Sequence, residues 1–166
     1  GYRFYIFLNG EDAHEVRKVL DTSVGLASYS LCLRVERSID AIVEKADQLI
    51  QQTRTKDRFS FKVETLRSDK TFEHTSLETS RKVSQKLLPL IPGVHVDVHN
   101  PEETLYIEIR REGVYISMQT IKSLGGYPSG MAGKGLLMIS GGIDSPVAGF
   151  LAIKKGVNVE AMHFAS

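Results

Sequence analysis

One cysteine, Cys32, is the only thiol in this 166-residue chain. A single Cys excludes an intramolecular disulfide framework and fits a reducing compartment. No apolar run approaches the roughly 20 residues that cross a bilayer. No secretory leader opens the chain, and no membrane partner is expected. Neither sign of charge dominates: the formal net charge is +1, so nucleic-acid binding needs a local basic patch to support it. Two phosphate-binding signatures are also missing. Gly130-Met-Ala-Gly133-Lys134-Gly135 has neither the Walker glycine spacing nor a Ser/Thr after its Lys, and no G-x-G-x-x-G opens a helix.

What remains is ordinary globular material, 42% apolar and 25% charged, enough for one to two small domains. Aromatic and β-branched residues over 2–8 predict a strand. Ala13, Val16, Val19 and Leu20 predict a helix over 11–21, and Ser28 to Val35 a return to strand. Ser38 is placed to cap a helix whose apolar face is Ile39, Ile42, Val43, Ala46, Leu49 and Ile50. Phe59, Phe61 and Val63 alternate with polar residues as in a half-buried strand. Thr75 and Glu78 have capping-box spacing ahead of a helix running to about Leu88, which Pro89 and Pro92 end. Strands are expected over 94–98 and 104–110. A turn at Glu112-Gly113 should then return a hairpin strand from Val114 to Ile121. Residues 123–135 hold five glycines, a linker by composition or an ordered lid.

The most chemically specific feature is Ser140-Gly141-Gly142-Ile143-Asp144-Ser145. It lies between the apolar run Leu136–Ile139 and the helix-like stretch Pro146–Ile153. A strand, a glycine loop and a helix bring loop N–H groups, first-turn donors and the helix dipole to one point, which suits phosphate. Ser140 and Ser145 add hydroxyls. Asp144 suits such a place if it holds a cation, most simply Mg²⁺. After the loop comes one strand, 157–164, and the chain stops. That is too little to cover a parallel sheet, so a truncated phosphate-binding domain is expected. The start at Gly1 without Met likewise suggests an excised piece.

The loop resembles the PP-loop of ATP pyrophosphatases, which cleave ATP between its α- and β-phosphates. The order helix, strand, helix, three strands over 38–122 resembles the THUMP domain of RNA-modifying enzymes. Gly125-Gly-Tyr-Pro128-Ser-Gly130 running into Leu136–Val147 is similar to one family, the tRNA 4-thiouridine synthetases that also serve as sulfurtransferases of thiamine thiazole synthesis. The resemblance implies an α/β chain of α+β modules. Residues 1–37 would be the C-terminal part of a ferredoxin-like domain, 38–122 a THUMP domain, 123–135 a linker, and 136–166 the start of a PP-loop domain. It implies ATP with Mg²⁺ held by Leu137, Met138, Ile139, Ser140, Gly141, Gly142, Asp144, Ser145, His163 and Phe164. It further implies a tRNA acceptor end as partner, a persulfide-bearing cysteine desulfurase as sulfur donor to the full-length protein, and a cytoplasmic setting. The implied reaction adenylates a tRNA uridine and replaces its oxygen by sulfur. Catalytic cysteines of that family lie beyond the phosphate loop and have no counterpart here, so the piece alone is expected to be inactive. The competing readings are a stand-alone RNA-binding module without catalysis and an amidotransferase fragment. A basic α/β module ahead of the loop argues against the second.

Between 54 and 86 nine Lys/Arg face five Asp/Glu. Arg54, Lys56, Arg58, Lys62, Arg67, Lys70 and Lys82 are the candidate RNA contacts, with Arg67 and Lys70 bracketing the turn before the capped helix. A solvated mixed-charge face is the ordinary alternative. His95, Asp97 and His99 alternate with Val94, Val96 and Val98. Neighbouring members of such a set sit about 7 Å apart on a strand, so a solvent-facing surface is expected rather than a metal site. Cys32 sits in an apolar strand-like run and is expected to be a buried, inert thiol.

Overall fold

The computed structural model describes residues 3–164 and divides into two units, residues 30–120 and residues 1–29 with 121–166. Gly1, Tyr2, Ala165 and Ser166 lie outside the described residues. Tyr2 of the expected first strand and the outermost ends of the first and last expected domains therefore lie outside them too.

The unit of residues 30–120 is built on a five-stranded mixed sheet. In chain order its elements are β2 (Leu33–Val35), α2 (Ile39–Thr53), β3 (Phe59–Arg67), α3 (Ser76–Leu87), a 3-10 turn (Leu88–Leu90), β4 (Val94–Val96), β5 (Glu103–Arg110) and β6 (Gly113–Ser117). The strand order is β2-β6-β5-β3-β4. Strand β3 pairs in parallel with β4 and β5, and β6 pairs antiparallel with β5 and β2. The helices form where their caps predict. Ser38 Oγ accepts the Ala41 N–H, and Thr75 and Glu78 close a reciprocal capping box. Leu105, Ile107 and Ile109 alternate inward along β5 and are fully buried. They meet Phe61 of β3, Ile42, Ala46 and Ile50 of α2, and Val83 and Leu87 of α3 in one apolar core. Each such side chain contributes about 1.5–3 kcal/mol relative to exposure.

The other unit holds α1 (Ala13–Asp21), β1 (Ser28–Tyr29), β7 (Ile121–Lys122), β8 (Lys134–Ile139), α4 (Asp144–Lys154) and β9 (Asn158–His163). Strands β1 and β7 form one antiparallel pair, and β8 and β9 one parallel pair.

Several expectations need correction. Residues 3–8 form no strand, and no described strand pairs with them. Phe4, Ile6 and Phe7 stay largely exposed, because β propensity has no effect without a partner edge. The stretch 28–35 is two short strands, β1 and β2, in different sheets, not one. The hairpin strand ends at Ser117, and Ile121 belongs instead to β7. Strand β4 stops at Val96, so Val96 and Val98 are exposed alongside His95 and His99. Asp97 turns the chain there by accepting the N–H groups of His99 and Asn100. Cys32 precedes β2 and is exposed, not buried.

Candidate nucleotide and nucleic-acid sites

The glycine loop joins the end of β8 to α4, and α4 returns the chain to β9 in register from Lys134↔Asn158 to Ile139↔His163. This is a parallel βαβ unit with its loop at the carboxyl end of the first strand, where such units receive ligands. The helix begins at Asp144, two residues earlier than the expected Pro146, so Asp144 and Ser145 both belong to its first turn. Two serines shape the loop from inside. The Ser140 N–H donates to Ser145 Oγ at 3.2 Å, and the Gly142 N–H donates to Ser140 Oγ at 3.4 Å.

The loop remains open toward a ligand. A Cβ added at Gly141 would meet nothing within 4 Å, and one at Gly142 only Ser140 Oγ at 3.7 Å. Internal packing therefore does not require these glycines, and the absence of side chains leaves room for close approach to the loop backbone. No side chain caps α4, whose N-cap is Ile143, so its first-turn donors suit an anion. Asp144 is exposed at this edge. One carboxylate and two hydroxyls are hard oxygen donors of the kind Mg²⁺ takes. The residues present fit a magnesium-bound polyphosphate.

The remaining predicted nucleotide residues flank the loop. Leu137 is half-buried against Gly149 of α4, while Met138, Ile139 and Phe164 are exposed. The His163 Nδ1–H donates to the Ile139 carbonyl at 2.9 Å, which orients the ring at the loop's base.

The basic candidates do not converge on one spot. Lys56 pairs with Glu102 at 2.7 Å and Lys62 with Glu64 at 2.9 Å. Such solvent-screened pairs contribute little, so a phosphate can compete for the lysines. Arg54 and Arg58 flank one shallow groove with Gln51, Asp57 and Gly93. Lys82 lines a second groove, where its ammonium donates to His74 Nε2 at 3.1 Å. Arg67 is turned inward: its Nη1 donates to the Phe72 and His74 carbonyls at 3.3 and 3.2 Å. Lys70 is exposed on the loop that Arg67 fastens.

Sequence reasoning overlooked Arg37. Its guanidinium donates to the Arg110 carbonyl, to Asp69 Oδ2 at 2.8 Å and to Thr71 Oγ1, and lies over the Phe72 ring. Asp69 also accepts the Thr71 N–H and hydroxyl. These bonds, then the Arg37 guanidinium, lower its carboxyl from 3.8 to about 2. The loop of 68–74 is thus tied at both ends. No local pattern could reveal this, because Arg37 and Asp69 are 32 residues apart.

The model for the THUMP domain matches residues 36–119, just over half of the chain, and the model "Thiamine biosynthesis protein (ThiI)" matches residues 130–166. The chain belongs to the THUMP-domain family, and its C-terminal segment is similar to the thiamine biosynthesis protein ThiI. It is 45% identical over 164 residues to the "Probable tRNA sulfurtransferase" of Brevibacillus brevis, covering 99% of this chain and 41% of that relative. It is likewise 45% identical to the protein of that name from Acholeplasma laidlawii, covering 99% and 40%. Among solved structures it is similar to PH1313 from Pyrococcus horikoshii, with a TM-score of 0.84 and 31% identity over 90% of this chain and 51% of that one. It is also similar to a 4-thiouridine synthetase solved with RNA and bound ATP, with a TM-score of 0.80 and 29% identity over 95% and 40%. The chain spans about two fifths of the length of the curated relatives it matches.

Proposed function

We propose that this chain supplies the RNA platform and the phosphate loop of an ATP-dependent tRNA sulfurtransferase. The observation that carries the reading is an open glycine loop with an uncapped helix behind it, in the same chain as a THUMP domain. The loop amides, with Ser140 and Ser145, hold the pyrophosphate end of ATP, and Asp144 holds its Mg²⁺. Leu137, Met138, Ile139, His163 and Phe164 border the rest of the nucleotide. Bound ATP supplies the adenylyl group that turns a uridine carbonyl oxygen, a poor leaving group, into a good one. The whole protein then delivers sulfur from a persulfide provided by a cysteine desulfurase, making 4-thiouridine, with a second use in thiamine thiazole synthesis. A cytoplasmic setting suits both. Sulfur transfer belongs to the whole protein, and this chain by itself is expected to be inactive.

In this reading 38–122 is the RNA-binding domain and 136–166 the opening of the PP-loop domain, joined through 123–135 and preceded by part of a ferredoxin-like domain over 1–37. The acceptor end of tRNA is the partner. Arg54, Lys56, Arg58, Lys62, Lys70 and Lys82 meet its phosphates, while Arg67 acts by holding the loop that displays Lys70.

The test separates the two sites. In the whole protein Asp144→Asn should slow adenylation and leave tRNA affinity unchanged; an unchanged rate would remove Asp144 from the site. In this chain Lys70→Ala should weaken tRNA binding and reduce the log–log salt slope by about 0.7–0.9. An unchanged slope would take Lys70 out of the interface.

A further inference from the structure

The glycine-rich stretch 123–135 is bonded on two sides. On one side the Ser123 N–H donates to the Ala27 carbonyl, the Gly25 N–H to the Gly125 carbonyl, and the Gly125 N–H to the Leu26 carbonyl. On the other side it reaches the far end of α4, the helix behind the phosphate loop.

That helix end is nearly complete by itself. Gly156, with φ +86°, follows the cap Lys155, and its N–H donates to the Ile153 carbonyl while the Val157 N–H donates to the Ala152 carbonyl. This is a Schellman ending, and it leaves the last carbonyl of the helix, that of Lys154, to be satisfied from elsewhere. The Tyr127 N–H donates to it at 3.0 Å. The approach is close on both strands of chain. A Cβ on Gly126 would stand 2.6 Å from the Lys154 carbonyl oxygen, and one on Gly156 would stand 3.1 Å from both the Pro128 carbonyl oxygen and Tyr127 Cβ. Two further bonds continue the seam, from the Ala132 N–H to the Gly156 carbonyl and from the Asn158 N–H to the Gly133 carbonyl. Elsewhere α4 has little to fix it: only Gly149 is buried, and Val147, Leu151 and Ile153 are exposed.

We propose that Gly126 and Tyr127 are positioning residues for the phosphate loop: they cap α4 at its C-terminal end and so fix where the amides at its N-terminal end point. The inference rests on the phosphate reading of 140–145. Helix donors bind an anion strongly only when they converge on it, and a rigid helix carries a displacement at one end to the other.

Three forms of the chain test this: wild type, Gly126→Ala and Gly125→Ala. Both glycines have positive φ, so either alanine is strained, but a Cβ at Gly125 meets nothing within 4 Å. The difference between the variants isolates the contact with Lys154. Mg²⁺-pyrophosphate is titrated while the Gly141 and Gly142 amide resonances are followed, with hydrogen exchange at 140–145 and thermal unfolding measured in parallel. Gly126→Ala should weaken pyrophosphate binding about tenfold or more and speed loop exchange, at temperatures well below unfolding, with Gly125→Ala close to wild type. Equal affinity in Gly126→Ala and wild type, even with a lowered unfolding temperature, overturns the positioning role. Equal losses in the two variants overturn it as well. Absence of any pyrophosphate response in the wild-type chain instead overturns the phosphate reading, and with it the site this brace would serve.

Discussion

Residues 30–120 and the unit around α4 are built from similar apolar strands, yet the two use them differently. In the first, β5 places Leu105, Ile107 and Ile109 at zero exposure, because strands on both sides and two helices meet them. In the second, Leu136 and Met138 of β8 are 63% and 66% exposed, in a sheet of two described strands. Apolar sequence creates a demand for burial, and only neighbouring elements meet it. The first unit therefore draws its order from a core. The second draws more of it from backbone hydrogen bonds and close glycine contacts along 123–133.

Phe61→Ala probes the core most severely. It should cost about 3–5 kcal/mol by urea unfolding, whereas Leu151→Ala on exposed α4 should stay within about 0.5 kcal/mol. Comparable losses would erase the distinction between the units.

Asp69 gives a pH signature confined to the first unit. Its carboxyl lies at about 2 in the fold against an ordinary 3.8. The folded state thus favours the carboxylate: the stabilisation is full above 3.8 and is lost as pH falls through about 2. Unfolding temperature followed across this interval should fall in wild type and fall less in Asp69→Asn. Parallel curves would show that the Thr71 and Arg37 bonds do not matter for stability.

Thr75→Ala removes the hydroxyl half of the α3 capping box and should cost about 1 kcal/mol, measured by denaturant midpoint. At Gly149 two opposing effects are expected to offset. Alanine there gains about 1 kcal/mol of helix propensity, but its Cβ would stand 2.7 Å from Leu137 Cδ2, the end of a side chain able to shift. Net stability should remain within about 1 kcal/mol of wild type. A large loss would mean that α4 packs more tightly on β8 than its exposure implies.

Much of this architecture was legible in local sequence. Both caps of the first unit, at Ser38 and at Thr75 with Glu78, involve partners three residues apart. The alternation of β5 and the loop 140–145 are equally local. The strand expected over residues 2–8, which is absent over its described residues 3–8, the single strand over 28–35 and the buried Cys32 were not borne out. Each of those expectations depended on a distant partner that composition does not specify.

For the candidate sites, the sequence by itself determined which residues are the candidates: two glycines, two serines and a carboxylate after a strand, and a run rich in Lys and Arg. Loop conformation and helix capping are short-range, and a few residues fix them. Only the tertiary structure decided how those residues are used. It turned Arg67 inward onto two carbonyls, brought Arg37 to Asp69, and seated the Tyr127 N–H on the last carbonyl of α4. Each of those bonds except Arg67's joins groups at least 27 residues apart in sequence. Only the fold of the whole unit brings such groups within hydrogen-bond distance, so no local pattern records them.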